Sequence, residues 1–62
     1  MSAEDRFIEM SVTTTEAFLA DYRREHEAAG DLTAEQIDAY CAGFREAVGM
    51  YTEVFLRRAG KL

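Results

Sequence analysis

His26 and Cys41, one histidine and one cysteine, are the side chains of this 62-residue chain best suited to metal or nucleophilic chemistry. Imidazole and thiolate both bind zinc, yet a structural zinc takes four ligands. Neither residue stands in a CxxC or HExxH spacing. On two neighbouring helices they fall at nearly the same level. Two copies with their loops at one end could then gather two His and two Cys, whereas opposite loop ends would separate the pairs. The plainer reading is a small buried thiol and a half-buried imidazole, both filling space. Di-metal helical bundles use Glu-x-x-His pairs, but position 23 is arginine and no acid falls on the apolar stripes. No serine sits in a nucleophile elbow, and no glycine-rich loop precedes a helix in a phosphate-binding pattern. Tyr22, Tyr40 and Tyr51 read as core or interface aromatics with hydroxyls at the rim. The residues give no catalytic constellation, no cofactor site and no metal site, and the chain reads as non-enzymatic.

Two apolar stripes are what the chain does specify. Ile8, Val12, Thr15, Leu19, Tyr22, His26 and Ala29 step by 4, 3, 4, 3, 4, 3, and Ile37, Cys41, Phe44, Val48, Tyr51 and Phe55 step by 4, 3, 4, 3, 4. Such alternation keeps side chains on one face of a helix and marks a seam for another helix. The spacing predicts one unit over 1–62, with helix 1 at about 3–29, a loop at 30–33 and helix 2 at about 34–59. Ser2 caps helix 1, with Glu4 and Asp5 in its first turn. The β-branched run Val12 to Thr15 is the weak stretch, and Thr13 with Glu16 spells a capping box that could start a second helix there. The unbroken 4-3 stepping favours a single helix. Gly30 suits the left-handed position after helix 1, and Leu32 supplies the accompanying apolar contact. Thr33 and Gln36 form a capping box, with Leu32 and Ile37 as its staple. Gly60-Lys61-Leu62 repeats the stop of Gly30-Asp31-Leu32.

A short loop makes the helices antiparallel, so the fold expected is an all-α two-helix hairpin. Phe44, mid-seam, is expected to be the costliest core truncation. Glu4, Asp5 and Glu9 are expected beside Arg57, Arg58 and Lys61. A second stripe on helix 2, Tyr40, Gly43, Ala47, Met50 and Val54, lies beside the first, and one helix cannot cover both. Gly43, next to Ala39 and Ala47, suggests close approach of another backbone. Helix 1 offers Phe7, Met10, Thr14 and Phe18 as the matching edge. The expectation is a homodimer forming a four-helix bundle, or one protein partner in the groove, with Tyr40, Gly43, Ala47, Met50, Val54, Phe7 and Phe18 as the interface.

Composition narrows the classes. Apolar content of 48% is too rich for a disordered chain, while a hairpin this small has no third layer to cover it. No run approaches the ~18 apolar residues of a membrane span. An acidic N-terminus without a following apolar run gives no secretory signal, and a single cysteine fits a reducing compartment, so a cytoplasmic setting is expected. The net charge of −5 resides in residues 1–31, where eight acids face three arginines. Phosphate backbones reward clustered Lys and Arg, so nucleic-acid binding is disfavoured. Two functions follow: a small interaction or regulatory protein (adaptor, co-chaperone or accessory subunit) using the groove on helix 2, or an acidic inhibitor of a basic nucleic-acid-binding partner, of phage or mobile-element type, using Glu16, Asp21, Glu25 and Glu27.

Overall fold

The computed structural model describes residues 2–60, and in it the chain is two antiparallel helices, α1 (Ala3–Ala29) and α2 (Ala34–Arg58). Their ends are fixed by local chemistry. The Ser2 hydroxyl accepts from the Asp5 amide at 3.1 Å, opening α1. At the other end Gly30 takes φ 67°, and its N–H donates to the His26 carbonyl at 2.9 Å. A side chain at positive φ crowds the backbone, so glycine suits this turn. α2 is capped by Ala59, and Gly60 follows at φ 77° with its N–H donating to the Arg57 carbonyl at 3.1 Å. Thr33 and Gln36 close the reciprocal capping box at 3.1 and 2.8 Å. Thr33→Ala is therefore expected to cost about 1 kcal/mol of stability, read as a small drop in the thermal midpoint with the fold retained. An unchanged midpoint would show the cap to be idle.

α1 runs through Val12 to Thr15 without a break. Tertiary packing outweighs the weak intrinsic preference of β-branched residues there. The seam between the helices departs from the heptad stripes. Apart from the charged Glu4 and Arg23, the covered positions on α1 are Phe7, Ser11, Thr15, Leu19, Tyr22 and His26, and on α2 they are Ile37, Cys41, Phe44, Val48, Thr52 and Leu56. Both sets advance by about 3.8 residues per step, above the 3.6 of a straight helix, whereas the 4-3 stripe advances by 3.5. Spacings on either side of 3.6 drift in opposite directions around the helix. The two patterns therefore agree near the loop and separate towards the open end. There Ile8 and Val12 leave the seam, as do Tyr51, 73% exposed, and Phe55.

The deep core consequently sits at the loop end. Leu19, Ile37 and Cys41 are at most 2% exposed, with Tyr22, Leu32 and Phe44 packed against them. Phe44 is only half-buried, so Leu19 and Ile37 replace it as the costliest truncations. Towards the open end the seam is lined by the small side chains Ser11, Thr15 and Thr52, with Leu56 closing it. The result is a slab of 44 × 18 × 11 Å, one helix thick.

Candidate protein-interaction surface

The small seam residues leave a groove on each side. Ser11, Thr15, Val48 and Thr52 line both grooves, so the two lie on opposite faces of the slab. One groove, about 450 Å³, adds Ile8, Val12, Gly49 and Leu56, with Glu16, Arg45 and Glu53 at its rim. The other, about 360 Å³, adds Phe7, Met10, Thr14 and Tyr51.

The second face carries the aromatic rings. Phe7 stacks on Phe55 at 4.9 Å, Phe18 on Phe44 at 5.0 Å, and Tyr22 on Tyr40 at 4.0 Å, each pair bridging α1 and α2. Tyr40 and Phe44 continue the row along α2 at 5.9 Å. Stacked pairs hold the rings in place while leaving much of their surface in water. Phe18, Tyr40, Tyr51, Val54 and Phe55 are all exposed, as are Met10 and Met50. Of the interface residues expected from sequence, Tyr40, Gly43, Ala47, Met50, Val54 and Phe18 are exposed, and Phe7 is half-buried beneath Phe55. Tyr51 and Phe55 join them only because the seam drifts away from the heptad stripe to which they belong. The one signal for them in the sequence was that every neighbour four residues along (Val48 to Thr52, Thr52 to Leu56) could serve the seam equally well.

Gly43 has open space around it. A methyl group added there would meet nothing within 4 Å. The packing of this hairpin on itself therefore does not require the glycine, although glycine inside a helix costs about 1 kcal/mol relative to alanine.

The ionic contacts that link the two helices lie on the opposite face from the rings. Arg45 grips Glu16 with two hydrogen bonds, at 2.7 and 2.8 Å, beside the larger groove. Arg23 reaches Asp38 at 2.6 Å, Arg57 reaches Glu53 of its own helix at 2.6 Å, and Arg24 pairs with Asp21. The expected meeting of acids and arginines at the open end is thus redirected for Arg57, because Glu53 stands one turn away on the same helix. Lys61 lies outside the described residues.

His26 donates or accepts through Nδ1 with Asp31 Oδ1 at 2.8 Å, and its ring rests on Tyr22 at 4.3 Å. Cys41 is enclosed by the Leu19 and Ile37 cluster. Among the described residues no three His, Cys, Asp or Glu side chains are placed to hold a metal ion. The Arg45 hydrogen bonds hold the Glu16 carboxyl below its usual value, and the His26 contact does the same for Asp31. Loss of surrounding water, with Tyr40 and Asp31 adding repulsion, pushes the Tyr22 phenol up.

A carboxyl whose folded pKa is depressed adds stability above its unfolded value, and that gain disappears as pH falls through the folded value. Acidification from pH 6 to about pH 3 is therefore expected to lower the thermal midpoint, with most of the fall below pH 4. Glu16→Gln should flatten the curve. A midpoint independent of pH in this window would contradict both assignments. Exposure and salt screening keep the effect modest.

Compared with known proteins, the chain matches no protein-family model, no curated protein and no solved structure. Among the described residues, no helix is long and apolar enough to cross a membrane.

Proposed function

We propose that the chain is a small non-enzymatic interaction protein, of the adaptor, co-chaperone or accessory-subunit kind, whose working surface is the aromatic face of the hairpin. A second copy occupies that face and completes a four-helix bundle. The observation that supports this reading is the contrast between core and surface. Among the described residues Leu19, Ile37, Cys41 and Leu56 are the buried apolar ones, while Phe18, Tyr40, Met50, Tyr51, Val54 and Phe55 are apolar side chains open to water. Small domains with so little interior rely on association or another staple for stability, and continuous exposed apolar patches mark association sites.

The acidic-inhibitor alternative has less to support it. Glu16 is held by Arg45 and Asp21 by Arg24, which halves the free charge offered by the carboxylates at 16, 21, 25 and 27.

Sedimentation equilibrium between about 1 and 100 µM tests the proposal. The expected mass is twice the 7.0 kDa of the chain, with dissociation accompanied by loss of helix. A cooperatively folded species of single-chain mass across the whole range would sink it.

A further inference from the structure

The hairpin exposes 4817 Å². A compact monomer of 7.0 kDa exposes roughly 4,000 Å². The excess, about 800 Å², equals the share that one partner contributes to a standard-size protein interface. Its radius of gyration, 14.3 Å, exceeds the roughly 10.5 Å of a compact chain of this length. A second slab stacked on the first covers the excess area and brings the thickness of the assembly nearer to its width.

The outer stripe of α2 is arranged for a copy of itself. Tyr40 and Val54 each stand seven residues from Ala47, two helical turns away and on the same face. A two-fold axis at Ala47 that runs α2 antiparallel to its copy brings Tyr40 level with the copy's Val54, and the reverse. Gly43, four residues before Ala47, comes within one residue's rise, about 1.5 Å, of the copy's Met50, three residues after it. The open space at Gly43 then receives the long, exposed Met50 side chain, and the two-fold axis makes that fit twice. Phe44 and Tyr51 meet on the other flank of the stripe by the same arithmetic. Parallel α2 helices would set Met50 against Met50 and leave the two glycines facing each other across a void.

Charge selects the same orientation. The loop end carries Asp21, Glu25, Glu27, Asp31, Glu35 and Asp38 against Arg23 and Arg24, a net of −4. At the open end Glu4, Asp5, Glu9 and Glu53 face Arg6, Arg57 and Arg58, a net of −1. Loops docked at the same end would bring the two strongly acidic ends together. Opposite ends keep them apart by most of the 44 Å length, well beyond the ~8 Å screening length at physiological salt.

We propose that a second copy of this chain covers the aromatic face with its loop at the opposite end, α2 packed antiparallel on α2 about Ala47, and Gly43 of each copy receiving Met50 of the other. The proposal rests on the self-association reading above and adds its orientation and register.

Cysteine cross-linking tests it. In this register two copies of Tyr40 stand about 21 Å apart along the helix axis, whereas a disulfide needs Cα atoms within ~7 Å. Tyr40→Cys alone and Val54→Cys alone should therefore give no disulfide dimer. A mixture of the two should give the mixed dimer, and Ala47→Cys should link to itself. Cys41, fully enclosed, serves as the unreactive background in the native chain. A size exchange provides the independent check. Gly43→Leu should weaken association at least tenfold, and adding Met50→Ala should restore most of it. Efficient disulfide formation by either single variant, or a failure of Met50→Ala to rescue, in a chain that still sediments as a dimer overturns the register and leaves the self-association reading standing. A chain that sediments as a folded monomer overturns both.

Discussion

Leu19→Ala is expected to bring the hairpin close to unfolding at room temperature. Leu19 is 2% exposed and joins Ile37 and Cys41 in the only fully enclosed cluster among the described residues. Removing a buried leucine side chain costs about 2–5 kcal/mol, through lost transfer energy and the cavity left behind. Domains have roughly 0.05–0.15 kcal/mol of stability per residue, so a chain of this length holds only about 3–9 kcal/mol. One truncation consumes much of that. No third layer stands ready to collapse into the cavity. Ile37→Ala should behave alike. Phe44→Ala should be milder despite the larger side chain, because its ring is half in water and packs against the partly exposed rings of Phe18 and Tyr40. Far-UV circular dichroism and urea titration rank the three variants. If Phe44→Ala proved the most damaging, the enclosed Leu19, Ile37 and Cys41 cluster would not be what holds the hairpin together.

Met50→Asp should weaken self-association by about a hundredfold or more. Met50 is 62% exposed in the hairpin, so an aspartate there is tolerated by the single chain. In the proposed bundle the same side chain enters the space over Gly43. An unpaired charge left in such a site costs about 3–5 kcal/mol, and each 1.4 kcal/mol is tenfold in affinity. Two-fold symmetry applies the penalty at two places. Ala42→Asp, exposed on a different face of α2, adds the same charge and should leave association nearly unchanged. This comparison separates a contact effect from the repulsion between two more acidic chains. Equal sedimentation of Met50→Asp and the native chain would refute the placement of Met50 in the interface.

The extent of the helices was legible in the sequence because it depends on interactions within four residues. The Ser2 cap, the Gly30 stop and the Thr33–Gln36 box each involve neighbours along the chain, and the structure places all three as their spacing implies. The antiparallel hairpin followed from the shortness of the loop. The exposed stripe Tyr40, Gly43, Ala47, Met50 and Val54 was legible for a related reason: two apolar stripes on one helix exceed what one neighbour can cover.

Which residues fill the seam was decided only by tertiary structure. Periodicity assigned Ile8, Val12, Tyr51 and Phe55 to it, and the folded hairpin gives those levels to Phe7, Ser11, Thr52 and Leu56. A 4-3 pattern and a 4-4 pattern share several positions in any sequence this short, and they differ by a slow angular drift. The relative twist of the two helices selects between them, and that twist is a property of the pair. The same selection turned Tyr51 and Phe55 outward to widen the aromatic face. Charge pairing was redistributed likewise: Arg57 satisfied itself one turn back on its own helix, and Arg45 and Arg23 made the links to α1. Local hydrogen bonds fix where a helix starts and stops, but the angle at which two helices meet fixes which of their side chains touch.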